Sequence, residues 1–173
     1  MVVRSGLKGL YILAAVALAA CSPTGAAQDA PPSAAQAQAA APAIDPDSGL
    51  KLLDVTIVSG EQRYNFVSEL ADSDEAQARG MMFRTEMGDF EGMLFPSYVP
   101  EERSFWMKNT AVPLDIIFIG EDMRITNIEE GVPYSLDPVY SSGPALAVFE
   151  IRQGRSEALG IEPGNKVEFV LPE

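Results

Sequence analysis

The segment from Phe105 to Ile119 restricts the fold of this chain more than any other. Its second half, Leu114 to Ile119, is almost continuously apolar, which is typical of a strand buried on both faces of a sheet. Its first half carries a Trp, a Lys, an Asn and a Thr, and Asp115 stands at the entrance of the buried strand. These polar residues are the chain's best candidates for a functional site.

Short apolar segments also make up most of the chain after residue 50. In several of them, such as 53–57 and 64–66, every second residue is apolar, which indicates a strand with one buried face. Short helices are predicted at 74–79 and between Gly154 and Gly160. The sequence therefore predicts a mainly β fold of about seven short strands with two short helices. We expect either a partly closed barrel or a curled antiparallel or mixed sheet, with a long loop from Gly131 to Pro144 over one mouth.

The N-terminus has the features of an export signal. Two basic residues precede an apolar stretch at 10–17, and Leu18-Ala19-Ala20-Cys21 ends in a cysteine. This resembles a bacterial lipoprotein signal, which implies that residues 1–20 are removed and that Cys21 carries the lipid. An uncleaved membrane helix is the alternative, but the apolar stretch is shorter than the ~20 residues that span a bilayer. An ordinary signal peptide would leave a free cysteine in an oxidising compartment.

Composition divides the rest of the chain into a tether and one domain. Residues 21–48 are mostly Ala, Pro, Gln and Ser, so we expect a disordered tether reaching roughly 30 Å from the membrane. Residues 49–173 are predicted to form a single globular domain. Two of the 12 basic and three of the 25 acidic residues lie before residue 49, which leaves that domain with a charge of −12. So acidic a surface argues against nucleic acid as a partner.

The sequence excludes several kinds of chemistry. It has no histidine, and its single cysteine lies at the lipidation site, so His-based triads, Cys nucleophiles and His or Cys zinc sites are excluded. We expect no cofactor and no stoichiometric zinc, iron or nickel. Copper on methionine sulfurs and calcium on the acidic clusters near residues 72–75 and 121–122 are weaker alternatives, because methionines commonly fill cores and neither cluster has the spacing of a calcium loop.

Within the Phe105–Ile119 segment, strand geometry separates the side chains into two sets. Residues two apart share a face, so Trp106 and Lys108 are expected side by side, with Phe105 and Met107 in the core. A carboxylate at Asp115 needs a partner, and Lys108 or Arg84 is the expected one. The alternatives are structural: Asp115 forms an ion pair or caps a turn, Trp106 only packs, and Lys108 and Asn109 lie in a solvated loop.

Three motifs carry a family resemblance. They are Arg79-Gly80-Met81-Met82-Phe83-Arg84, the Phe105–Asp115 segment, and Tyr140-Ser141-Ser142. Together they resemble the domain-of-unknown-function 192 family over most of residues 52–170. The resemblance implies the family's fold, but it offers no activity to carry over.

We therefore expect an envelope lipoprotein facing the periplasm and anchored in a bacterial membrane through lipid at Cys21. The outer membrane is favoured if there are two, because Ser22 replaces the Asp that would resemble an inner-membrane retention signal. Its domain is predicted to be a non-catalytic binding or accessory domain for a sugar, a peptide-like ligand or an envelope protein. The predicted cleft is lined by Arg84, Trp106, Lys108, Asn109, Asp115 and Tyr140. The alternatives are a hydrolase that uses Asp115 with Glu150 or Lys108, and a structural subunit of an envelope assembly.

Overall fold

The structure, a computed structural model, describes residues 41–172. These residues form nine strands and two short helices, in the order β1 (Leu52–Ser59), β2 (Gln62–Leu70), α1 (Asp74–Arg79), β3 (Glu91–Glu101), β4 (Ser104–Phe105), β5 (Leu114–Ile119), β6 (Ile125–Gly131), β7 (Val139–Tyr140), β8 (Ala145–Arg152), α2 (Arg155–Leu159) and β9 (Lys166–Phe169). Among the described residues, no helix has both the length and the apolar character needed to cross a bilayer. The predicted signal peptide and Cys21 lie outside the described residues.

Seven strands form one mixed sheet in the order β6-β5-β8-β3-β2-β1-β9, and β4 and β7 form a separate two-stranded ribbon. The pair β2–β3 is parallel, and the other pairs are antiparallel. The mainly β fold with two short helices is thus confirmed. Of the two predicted arrangements, the structure has the open sheet, which does not close into a barrel. The predicted loop at 131–144 contains the two-residue strand β7.

Both faces of the sheet are covered, as the apolar composition of β5 predicts. All six residues of β5 are buried. Ile117 and Ile119 pack in a cluster with residues of β1, β2, β8 and β9, which we call the inner core. Leu114, Ile116 and Phe118 pack on the opposite face under α1 and the segment after β4, which we call the outer core. A strand with this alternation is buried because each face has its own apolar layer.

The edges of the sheet meet at one corner. An isolated bridge joins Arg124, just before β6, to Lys166 in β9. The amide of Ile125 donates to the carbonyl of Asn165 at 2.9 Å, and the amide of Val167 donates to the carbonyl of Met123 at 2.8 Å. The sheet is therefore curled around the inner core, although it stays open along most of its length.

Residues just before the predicted domain boundary at residue 49 are hydrogen-bonded to the start of the domain. The amide of Leu52 donates to the carbonyl of Ala43 at 2.7 Å, and Ile44 bridges to Lys51. Asp45 holds the turn between them, because its carboxylate accepts from the amides of Asp47 and Ser48 at 3.0 and 2.8 Å. Residues 43–48, which composition placed in the tether, are fixed by this local turn, whose Asx hydrogen bonds composition alone does not reveal.

The two helices have the ends that the sequence predicts. Ser73 caps α1 by accepting from the amide of Ala76 at 3.2 Å, and the helix ends at Gly80 with φ 47°. Helix α2 lies between Gly154 and Gly160, with φ of 81° and 63°. Glycine is favoured at such positions because it alone adopts positive φ at little cost.

Candidate functional site

The loop that follows β4 carries most of the predicted site. Trp106 is half exposed, and the ammonium group of Lys108 lies 5.1 Å from the centre of its ring. Met107, between them, is buried in the outer core, and its amide donates to the carbonyl of Ser135 at 3.0 Å. A cation held over an indole face is a favourable pair at a surface. Trp106 and Lys108 therefore form one exposed unit, on a loop whose Met107 anchors it.

Three segments meet at this loop, and each has a residue with left-handed backbone. The residues are Asn109 with φ 57°, Phe83 with φ 69° and Tyr134 with φ 61°. The amide of Phe83 donates to the carbonyl of Asn109 at 2.9 Å, and the amide of Tyr134 donates to the carbonyl of Thr110 at 3.1 Å. Asn tolerates this conformation, but aromatic residues rarely adopt it. The surrounding hydrogen bonds therefore hold strained backbone at one place in the fold.

The aromatic residues of these segments are exposed. Phe83 is 70% exposed and Tyr134 is 64% exposed. Tyr140 is also exposed, and it lies opposite Ser104 in the β4–β7 ribbon. Ser104 is two residues before Trp106 in the sequence. We call Phe83, Trp106, Tyr134 and Tyr140 the aromatic surface. Exposed aromatic groups on segments that meet at one place indicate an interaction site, whereas single exposed apolar residues do not.

A small cavity lies behind Trp106. Its volume is about 40 Å³, and it is lined by Gln77, Ala78, Arg79, Gly80, Met81, Met82, Phe95, Phe105, Trp106, Thr110 and Glu150. Glu150 is only 4% exposed, and its Oε2 has no hydrogen-bond partner in the part of the chain that the structure describes. Burial raises the pKa of Glu150 from 4.5 to about 8, so its carboxyl is mostly protonated at neutral pH. The lining of the cavity thus includes a mostly neutral acid group, one oxygen of which has no partner among the described residues.

Asp115 is not part of this site, and its predicted partners are wrong. Its two carboxylate oxygens accept from the amides of Gly154 and Ser156, at 3.1 and 2.8 Å, at the start of α2. Its side chain leaves β5 on the inner-core side, whereas Lys108 lies on the outer-core side. The structural alternative is therefore the one observed: Asp115 caps a helix that has no capping side chain of its own.

Arg84 is committed to another carboxylate. Its guanidinium group forms an ion pair with Glu69 at 2.5 Å, and both side chains are mostly buried. It lies next to Phe83 in sequence, but its charge is neutralised away from Trp106. Of the six predicted residues, the structure brings together Trp106, Lys108, Asn109 and Tyr140, leaves Arg84 beside them in an ion pair, and separates Asp115.

Neither acid–base pair of the hydrolase alternative is formed. Asp115 lies opposite Ile151, and Ile116 lies opposite Glu150, so the two carboxyl groups point to opposite faces of the sheet. Asp115 makes no ion pair with Lys108 in the described residues. Each acid is separately buried, which is not the arrangement of a carboxylate pair across a cleft.

Sequence reasoning missed two residues at this place, Phe83 and Tyr134, which carry no sequence signal for their left-handed backbone. Glu150 was considered only as an acid–base partner of Asp115. It does carry a signal of its own, because it is the single charge inside the apolar run Ala145–Ile151, the same pattern that drew attention to Asp115.

Larger clefts exist elsewhere but lack such a group. One of about 670 Å³ lies beside β9, and one of about 620 Å³ lies around Arg84 and Glu69 with several exposed carboxylates. Within residues 41–172, no group of three or more His, Cys, Asp or Glu side chains is placed to hold a metal ion. The Trp106 loop and the cavity behind it remain the candidate site.

Comparisons with known proteins agree with the fold. A family model described as DUF192, an uncharacterized ACR, matches residues 55–169. A protein of unknown function from Novosphingobium aromaticivorans DSM 12444 is 52% identical, with a TM-score of 0.72 over 75% of this chain and 94% of that one. A protein from Sinorhizobium meliloti 1021, suggested to be a transcription regulator, is 32% identical, with a TM-score of 0.67 over 69% of this chain and 95% of that one. No curated protein matches the chain.

Proposed function

The chain belongs to the DUF192 family, described only as uncharacterized, and we propose that it is a non-catalytic binding domain whose ligand lies on the aromatic surface. The match confirms the resemblance seen in the Phe105–Asp115 segment and the two flanking motifs. Since the family supplies no activity, the proposal depends on the site alone.

The observation that carries the proposal is the strained backbone at Phe83, Asn109 and Tyr134. Such a backbone costs on the order of 1–3 kcal/mol at the aromatic residues Phe83 and Tyr134 and less at Asn109, and it persists only where its surroundings enforce it. Here the enforcing hydrogen bonds join three separate segments, and the result is that aromatic side chains face solvent instead of the core. Strain that places apolar groups in water opposes stability, and a bound ligand would offset it.

The chemistry of the surface favours a ligand with both apolar and polar parts. Aromatic rings offer flat apolar area, Asn109 offers an amide, and Lys108 offers a charge. Sugars and peptide segments have this combination. Nucleic acid does not suit a domain with a charge of −12, so the suggestion made for the Sinorhizobium protein is not part of the proposal.

We further propose that lipid at Cys21 holds the domain on a membrane of the bacterial envelope. Two or more acyl chains anchor a protein stably, because each buried methylene contributes about 0.8 kcal/mol. The domain would then meet ligands or envelope proteins close to the membrane, on its periplasmic side, with the outer membrane favoured where there are two.

The test is a calorimetric titration of the full-length protein with N-acetylglucosamine oligomers and with tripeptides. Binding by the wild type and at least tenfold weaker binding by Trp106→Ala and Tyr134→Ala is the expected result. Tyr98→Ala is the matched control, because Tyr98 is 87% exposed and lies outside the aromatic surface. If the Tyr98 variant lost affinity as much as the Tyr134 variant, or if no probe bound the wild type, the proposal would fail.

A further inference from the structure

The cavity behind Trp106 has a polar group that the fold leaves without a partner. Glu150 is 4% exposed, its Oε2 is unpartnered among the described residues, and it faces the outer core between Met93 and Ile116. A buried polar atom without a hydrogen bond costs free energy, so native proteins seldom keep one without a reason. The cavity of about 40 Å³, which Glu150 lines, is large enough to hold a small polar group.

Nothing near Glu150 favours its charged form. Burial is the whole cause of its raised pKa, and no basic group contributes. Arg79 is the other titratable residue lining the cavity, and Thr110 adds a hydroxyl that already donates to the carbonyl of Lys108 at 3.3 Å. At neutral pH the acid is therefore a hydrogen-bond donor, which suits an acceptor atom on a ligand.

Two basic side chains, Arg79 and Lys108, lie at or next to the cavity, although the domain as a whole is acidic. Within residues 41–172, only three basic side chains make no ion pair: Arg79, Lys108 and Arg124. Arg79 lines the cavity, and Lys108 lies over the ring of Trp106, which also lines it. Arg124 is distant and donates to the carbonyl of Gly164 at 2.7 Å. Two cations without an ion pair, beside a neutral donor, attract an anionic acceptor.

We propose that this cavity binds the carboxylate group of a ligand, with Glu150 donating a hydrogen bond to one oxygen and with Arg79 and Lys108 supplying the countercharge. The proposal rests on the function proposed above and narrows its ligand to one with an apolar group beside a carboxylate, such as the C-terminus of a peptide. The apolar group would lie against Trp106.

Three probes of equal shape test it: 3-phenylpropionate, its neutral amide 3-phenylpropanamide, and the cation 3-phenylpropylamine. Trp106 is the single tryptophan of the chain, so its fluorescence in the full-length protein reports binding at this place. We expect the carboxylate to bind at least tenfold more tightly than the other two. Its affinity should fall about tenfold between about pH 6 and about pH 9, because ionised Glu150 repels it.

Variants separate the donor role from a purely structural one. Glu150→Gln keeps a neutral donor and should hold affinity within about threefold, whereas Glu150→Met removes it and should lose at least tenfold. Arg79→Gln and Lys108→Gln should each weaken binding several-fold, with Arg124→Gln unchanged as the matched control. Variants are compared only where their circular dichroism matches the wild type, and Arg79→Gln and Lys108→Gln alter exposed residues.

Preferred binding of the amine or the amide overturns the carboxylate proposal and leaves the proposed binding surface standing. Failure of all three probes also overturns it, since the cavity would then hold only water. The sugar and tripeptide titrations decide the proposed function independently of either result.

Discussion

The wild-type protein is expected to lose stability between about pH 5 and about pH 8. Replacing Glu150 with Gln should abolish most of this pH-dependent loss. The pKa of this carboxyl rises from 4.5 to about 8 in the folded protein, because burial disfavours its charged form. Between those values the folded state keeps a proton that the unfolded state has released. Stability therefore falls as pH rises, by about 1.4 kcal/mol for each pH unit.

Over three pH units the loss is on the order of 4 kcal/mol, which is a large part of the roughly 5–15 kcal/mol that stabilises a typical domain. Gln has nearly the same shape and does not titrate. Any cost of burying its amide is the same at both pH values, so it cancels when the change in stability is compared between the proteins.

The measurement is urea unfolding followed by far-ultraviolet circular dichroism, at about pH 5 and about pH 8. Glu61→Gln is the matched control, because Glu61 is an exposed carboxyl in the turn between β1 and β2. The control should keep the wild-type pH dependence. If wild type and Glu150→Gln lost the same free energy of unfolding between the two pH values, Glu150 would be ionised in the folded state and the reasoning would be refuted.

Three further predictions concern other parts of the chain. Asp115→Ala should lower the free energy of unfolding by about 2–3 kcal/mol, because it leaves two amides at the start of α2 without their acceptor. Asp115→Asn should lower it by less. Unchanged urea midpoints would contradict the capping role. Trp106→Ala should cost about 1 kcal/mol or less, whereas Phe95→Ala, at 1% exposure in the outer core, should cost about 3–5 kcal/mol; equal losses would make Trp106 a core residue. Cys21→Ser should leave an unprocessed precursor without lipid. If mass spectrometry of the native protein showed an unmodified Cys21, the lipid anchor would be contradicted.

The elements of the fold were predictable wherever local pattern decides the structure. The apolar run at Leu114–Ile119 predicts a strand buried on two faces, and Ser73, Gly80 and the pair of glycines around α2 predict the helix ends. Pairing was harder, because the parallel contact of β2 with β3 and the bridge from Arg124 to β9 depend on contacts between distant segments. A two-residue strand such as β7 leaves too short a pattern to be recognised.

The sequence predicted the positions of Trp106 and Lys108 but not that of Asp115. Strand alternation predicted Trp106 and Lys108 on one surface, but the chain turns at residues 108–109 and the alternation is broken before β5. Within β5, Asp115 lies on the inner-core side. An ion pair was expected for a buried carboxylate, yet backbone amides at a helix start satisfy it equally well. The left-handed backbone of Phe83 and Tyr134 is set by hydrogen bonds to Asn109 and Thr110, which no local pattern encodes.

The corner where the sheet edges meet also affects how this protein folds. The four-residue strand β9 pairs with β1 and bonds to the chain just before β6, so it closes the curl over the inner core. Val55 of β1 pairs with Phe169 of β9, which is far away in sequence, and contacts so distant form slowly, because a long loop must be ordered first. A chain folded only as far as β8 would expose the edge of β1, which invites pairing with another chain. We therefore expect that removing β9 would slow folding and promote aggregation.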